Sequence, residues 1–209
     1  MYQRVLVLGP HTDDGEFGCG GSMARFVQEG KEVYYATFSL AEESVPKGYP
    51  KDILLTEVKK SSAVLGIKPD HLLIYRYPVR KFAEHRQPIL EDLVQLNRDL
   101  KPDLVMMPSL FDLHQDHQTI ANEGLRAFKF TSILGYEMPW NNIKFSFDTF
   151  IQINEEQLNL KLESVECYRS QTGRKYANPE FIKGQARTRG VQSGMEYSEV
   201  FSLVRWIVK

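Results

Sequence analysis

The residues best suited to chemistry lie in two short stretches far apart in the chain. The first, "PHTDDGEFGCGG", crowds His11, Asp13, Asp14 and Glu16 against four glycines, directly after the apolar run "RVLVLG". The second, "SLFDLHQDHQTI", presents His114, Asp116 and His117. Imidazoles and carboxylates both bind divalent cations and transfer protons near neutrality. Carboxylates this crowded, with nothing nearby in sequence to offset them, call for a positive partner, and a divalent cation shared by both stretches supplies one. Two histidines and one aspartate then make a three-ligand site whose fourth position is open to water, the arrangement of a catalytic metal. A further carboxylate beside it can serve as general base. Taken alone, each stretch has a plainer reading. A lone HxDH is more often surface or capping residues, and paired aspartates before a helix cap it and complement its dipole.

What joins the two stretches is their placement. "RVLVL" (4–8), "EVYYATFS" (32–39), "HLLIY" (71–75) and "DLVMMP" (103–108) read as strands, mostly continuous apolar runs of the kind buried between two helical layers. Helical patterns separate them: 17–28 before Gly30, 52–65 closed by Gly66, and 88–100 closed by "KPD". Repeated βα units with right-handed crossovers predict an α/β, Rossmann-like, doubly wound and mostly parallel sheet with helices on both faces. Its ligands sit beyond the carboxyl ends of the strands, where both stretches fall. Beyond Pro108 the pattern predicts a helix over 116–128, strands at 134–139 and 147–153, a helix over 155–168 and a closing apolar run over 199–208. The polar residues 169–194 are too many for an idle loop, so a helix over 180–189 is expected there, with part of the segment covering a site.

A chain of 209 residues suits one domain. With 26 Lys plus Arg against 27 Asp plus Glu it has no basic surplus to hold a phosphate backbone, so nucleic acid is excluded as a partner. No run approaches the roughly 20 apolar residues of a membrane span, and no signal-peptide pattern opens the chain, which predicts a cytoplasmic location. The 2 cysteines, Cys19 and Cys167, suit a reducing compartment and read as small apolar side chains.

"PHTDDGEFGCGG" followed by "HQDH" resembles the PIG-L/LmbE-like family of zinc-dependent de-N-acetylases, whose pattern is His-Pro-Asp-Asp-x-Glu and, farther on, His-x-Asp-His. "LTEVKKSSAVLGI", "LKPDLVMMP", "YRSQ" and "RGVQSGMEYSEVF" extend the likeness over nearly the whole chain. The resemblance implies one deacetylase domain over 1–209. It implies a zinc site, with Fe2+ or another divalent metal as the alternative, ligated by His11, Asp14 and His117. It implies Asp13 as general base. His114 would stabilise the oxyanion or protonate the leaving amine, with Asp116 orienting or charge-tuning that imidazole and keeping it protonated. The implied substrate is a small N-acylated, amino-sugar-containing molecule, and the implied assembly is a homo-oligomer.

Three departures stand out. Thr12 replaces the proline of the motif. Gly15 stands where some members have a second acid, while Glu16, at the helix start, reads as a capping carboxylate. Leu54 and Leu55 precede Glu57 where members acting on N-acetylglucosaminyl groups often carry an arginine, which bears on substrate more than on reaction. Two other readings follow: hydrolysis of a non-sugar amide, and a non-catalytic Rossmann-like protein binding a nucleotide or glycan. Against the nucleotide, the acids ahead of "GEFGCGG" would repel a pyrophosphate, and no ribose-binding acid follows the second strand. Arg187 and Arg189 are candidate contacts for an anionic part of a substrate. Tyr75, Tyr77, Trp140 and Tyr197 are candidate sugar-stacking rings or core residues.

Overall fold

Val5, Leu6, Val7 and Leu8 are all completely buried, and their alternation explains the layering of the molecule. Val5 and Val7 join one apolar cluster; Leu6 and Leu8 join another on the opposite face of the sheet. Each side chain so buried contributes about 1.5–3 kcal/mol. A computed structural model of the chain describes residues 2–208 and places this run, β1 (Arg4–Gly9), in a seven-stranded sheet.

The other strands are β2 (Glu32–Thr37), β3 (Leu72–Ile74), β4 (Leu104–Pro108), β5 (Ser132–Tyr136), β6 (Thr149–Ile153) and β7 (Tyr197–Arg205), in the spatial order β3-β2-β1-β4-β5-β7-β6. The first five are parallel; β7 runs antiparallel to β5, and β6 antiparallel to β7. The helices are α1 (Asp14–Gln28), α2 (Ile53–Val64), α3 (Arg86–Leu100), α4 (Gln115–Ala127), α5 (Glu155–Glu166) and α6 (Pro179–Ser193). Residues of α1, α2, α5 and α6 pack with Val5 and Val7, and those of α3 and α4 with Leu6 and Leu8. The single α/β domain with a mostly parallel sheet is as expected, and the two antiparallel edge strands complete it.

Helix α1 begins at Asp14, three residues before the expected start at Phe17. Glycines are poor helix formers, but tertiary packing overrides propensity here. A Cβ on Gly15 would fall 2.7 Å from the Tyr35 ring, and one on Gly18 would run into Tyr136, so α1 lies too close to the sheet for larger residues. The glycines therefore serve close packing. At Cys19 the helix breaks (φ −153°, ψ 26°). The freed Phe17 carbonyl accepts from Lys161 Nζ at 2.8 Å, while the Gly21 and Ser22 amides donate to Glu199 at 3.1 and 2.7 Å. Lys161 and Glu199, both buried, pair at 2.6 Å and fill the break. Helix α6 runs longer than the 180–189 expected, through Ser193, and ends on Gly194 with the positive φ of 71° that favours glycine there.

Candidate active site

Strands β1 and β4 are parallel neighbours, with Val5, Leu6 and Val7 paired to Leu104, Val105 and Met106. From that pair the sheet extends through β2 on one side and β5 on the other, so the loops after β1 and β4 part at the crevice where α/β sheets hold ligands. His11 lies in the first loop. Asp13 and Asp14 open α1, and His114 takes the N-cap of α4. All six residues singled out in the sequence come together here.

Asp14 is the centre of the cluster. Its Oδ2 lies 3.1 Å from His11 Nδ1 and 3.2 Å from His117 Nε2. The far nitrogen of each imidazole meets another buried carboxylate: His11 Nε2 is 2.9 Å from Asp116 Oδ2, and His117 Nδ1 is 2.8 Å from Asp112 Oδ2. Burial opposes a charge on His11, yet the Asp14 carboxylate and the hydrogen bond to Asp116 outweigh it and push its pKa up to about 9. For His117, burial is likewise overcome by Asp14 and Asp112, and the pKa rises to about 10. Burial also opposes an ionised Asp14, but the two histidines hold it well below the usual carboxylate range. The site thus draws positive charge to the point where these groups converge.

Two imidazoles and a carboxylate, each imidazole backed by an acid that fixes its tautomer, form a donor set suited to a divalent transition metal. The ligand atoms of His11, Asp14 and His117 lie within 4.8 Å of one another. His11, His114 and Asp116 form a second such group. Asp116, however, is fully buried and already accepts from the amides of Arg80 (2.6 Å) and Phe82 (3.3 Å), whereas Asp14 lines the cavity.

Asp13 and His114 flank the cluster. Asp13 stands at the N-cap of α1 but makes no side-chain capping bond; its carboxylate lines the cavity instead. Burial and the Asp14 charge push its pKa up, with Arg174 and His11 acting against them. His114 does cap its helix: its Nδ1 accepts from the Asp116 amide at 3.2 Å. A capping Nδ1 carries no proton, so the neutral ring is protonated at Nε2. Burial, then the charges of His11 and His117, push the His114 pKa down to about 4. The expected partnership with Asp116 takes a different form, since the Asp116 carboxylate hydrogen-bonds His11 and only its amide meets His114.

Glu16 is not a cap. Completely buried, it accepts from Ser61 Oγ (2.6 Å), Tyr168 OH (2.8 Å) and Tyr35 OH (3.0 Å), and burial pushes its pKa up to about 7. Tyr35 and Tyr168 also hydrogen-bond the Thr12 carbonyl. These contacts pin the turn at the position where the motif's proline is replaced.

The cluster forms one wall of a cavity of about 460 Å³. The cavity is also lined by Trp140 and Tyr176, stacked at 4.2 Å, together with Gln171 and the guanidinium-bearing residues Arg80 and Arg174. Part of the polar segment 169–194 therefore does border the site. Of the four candidate aromatics only Trp140 lines this cavity: Tyr75 stacks on Phe38, Tyr77 bonds Asp92, and Tyr197 lies under Arg187. Arg187 and Arg189 are committed to Glu196 and Glu137. Sequence reasoning missed Asp112, whose carboxylate joins the His114 amide (2.8 Å) to the His117 ring. The only signal was an acid two residues before His114. It also missed Arg80 and Arg174.

The fold and this cluster define a hydrolase-type site in an α/β sheet. Residues 6–128, more than half of the chain, match the family model PIG-L, described as GlcNAc-PI de-N-acetylase. The chain belongs to the PIG-L family and is an enzyme of the N-deacetylase class, a hydrolase of amide bonds. It is 28% identical over 177 residues to an uncharacterized deacetylase, YaiS, of Escherichia coli K12, covering 79% of this chain and 90% of that one. It is 24% identical to the diacetylchitobiose deacetylase of Thermococcus kodakarensis, over 63% of this chain and 51% of that relative, about half of its length. The conserved protein TT1542 of Thermus thermophilus shares the fold, with a TM-score of 0.84 and 25% identity, covering 100% of this chain and 97% of that one. Among the described residues no helix is long and apolar enough to cross a membrane.

Proposed function

We propose that this chain is a zinc-dependent, or alternatively Fe2+-dependent, de-N-acetylase that removes an acetyl group from the nitrogen of a small, amino-sugar-containing molecule. The observation that carries this reading is Asp14 facing two imidazoles, each backed by its own carboxylate, beside a non-capping Asp13 at the wall of a cavity. His11, Asp14 and His117 hold the cation. When bound, it polarises an amide carbonyl and lowers the pKa of water. Asp13, raised in pKa, takes a proton from the attacking water and returns it to the departing nitrogen, so that water and amide become acetate and amine. His114, a neutral Nε2–H tautomer, donates to the carbonyl oxygen as negative charge develops on it. Asp116 and Asp112 orient the two metal-binding imidazoles.

The sugar part draws on relatives such as the diacetylchitobiose deacetylase, and on the Trp140–Tyr176 stack, a flat apolar wall suited to a ring. Leu54 lines the cavity near where an arginine was expected and favours a second reading, a non-sugar amide. Acetate release from N-acetylated sugars, nucleotide-sugars and plain amides, measured after loading with zinc or Fe2+, separates the two. His117→Ala should lose both stoichiometric metal and turnover. A folded wild-type protein that takes up no metal from excess zinc would overturn the proposal. Both cysteines are free, which supports a cytoplasmic enzyme. Light scattering tests the homo-oligomer that the family resemblance implies.

A further inference from the structure

Arg80 and Arg174 reach the same cavity from loops far apart in the chain, and neither takes part in an ion pair among the described residues. Among the described residues they are the only arginines that line that cavity. Arg76, Arg86, Arg126, Arg187 and Arg189 are each paired with a glutamate. Arg80 also has a positive φ of 66°, an uncommon and costly conformation for a residue with a side chain. What holds it there is the site itself: its amide donates to Asp116 Oδ2, the same oxygen that meets His11 Nε2. The carboxylate that orients a proposed metal ligand therefore also fixes where the Arg80 side chain leaves the backbone. Its Nη2 donates to Ser44 Oγ at 2.7 Å, and Ser44 lines the cavity as well. Arg174 donates to the Tyr176 hydroxyl and lies over that ring, 5.6 Å from its centroid, beside the Trp140 stack. Both guanidinium groups keep donors free for a ligand, and the planar fork of Arg matches carboxylate and phosphate oxygens.

We propose that Arg80 and Arg174 form an anion-binding rim, so that the preferred substrate is an N-acylated molecule that also carries a carboxylate or phosphate group away from the reacting amide. This inference rests on the deacetylase reading for the word substrate, while the rim itself is a binding site independent of turnover. Asp13 and Asp14 are the acids that line the cavity, and the charge of Arg174 already bears on Asp13.

The test uses N-acetylglucosamine, its 1-phosphate and 6-phosphate, and N-acetylmuramic acid as a carboxylate. Calorimetry on metal-free protein should show at least one anionic compound binding tenfold or more tighter than the neutral parent. Arg80→Gln and Arg174→Gln should each shrink that ratio, and the double variant should bring it near one. Arg80→Lys, which keeps the charge, should recover part of it. In metal-loaded wild type the same compound should show the higher kcat/KM, mainly through KM. Equal binding of neutral and anionic compounds, or a preference that survives in the double variant, would overturn the rim. If Arg80→Gln does not fold, the Arg174→Gln ratio decides. An intact, arginine-dependent preference with no turnover of any amide would strike the deacetylase reading and uphold the rim.

Discussion

Every group proposed to hold the cation or move a proton hangs from the ends of β1 and β4, central parallel strands, whereas Trp140, Gln171, Arg174 and Tyr176 come from the chain beyond β5. In the first set, the rings of His11 and His117 are each fixed between two carboxylates. The second is a stacked pair of rings and an exposed turn. The family match ends at residue 128, just before β5, and so covers the first set alone. On the proposed reading, the reacting groups share one origin in the fold, while the groups that would contact the rest of the substrate come from the later chain and from Arg80. Changes at the ends of β1 and β4 should act on turnover or metal, and changes in the later part, or at Arg80, on KM.

The largest effect should come from Asp13→Asn. It should retain metal and lose about 10²–10⁴-fold in kcat, the range for a general base. Loss of metal in that variant would show that the two aspartates have exchanged roles. Asp112→Asn sharpens the same side of the contrast. It leaves the His117 ring without its carboxylate partner and should weaken metal binding about 10–100-fold, read by competition with a chelator. For the other side, Trp140→Ala removes a face of the stack and should raise KM about tenfold while kcat changes little. An equal fall in kcat would break the division between the parts.

The smallest effect concerns stability. The Glu16 pKa stands at about 7 against an ordinary 4.5, so the folded state holds this proton more tightly than the unfolded one. Its contribution to stability is complete below about pH 4.5 and is lost as pH rises through about 7. Glu16→Gln cannot ionise and should lack that loss. In metal-free protein the melting temperature of wild type should therefore fall relative to the variant between pH 5 and pH 8, by a few degrees. A constant difference across that range would mean that Glu16 stays ionised in the fold.

Much of this was legible beforehand because β1 and β4 are continuous apolar runs, and because both acid-and-histidine stretches follow strand ends. That the two strands are neighbours is a property of the assembled sheet, and only there do His11 and His117 meet Asp14. Sequence proximity misled in one place: Asp116 lies two residues from His114, but its carboxylate goes to His11, brought to it across the β1–β4 crevice. Tertiary pairing also explains Arg189. Its guanidinium looked available for a ligand, yet it meets the buried Glu137 at the start of the chain segment after β5. The acids ahead of the α1 glycines already argued against a phosphate loop, but only the rings of Tyr35 and Tyr136 show what the glycines make room for.

The lysine and glutamate that fill the break in α1 make the two parts of the molecule interdependent. A fragment ending at residue 128 would keep all the groups proposed to act on the amide, yet lack Lys161 and Glu199. The Phe17 carbonyl and the Gly21 and Ser22 amides would then lose these partners, and the faces of α1 that pack on α5, β6 and β7 would open to solvent. The catalytic half is thus no portable module: the helix that carries Asp14 is closed by residues made long after it, and the site is completed only when β7 has joined the sheet.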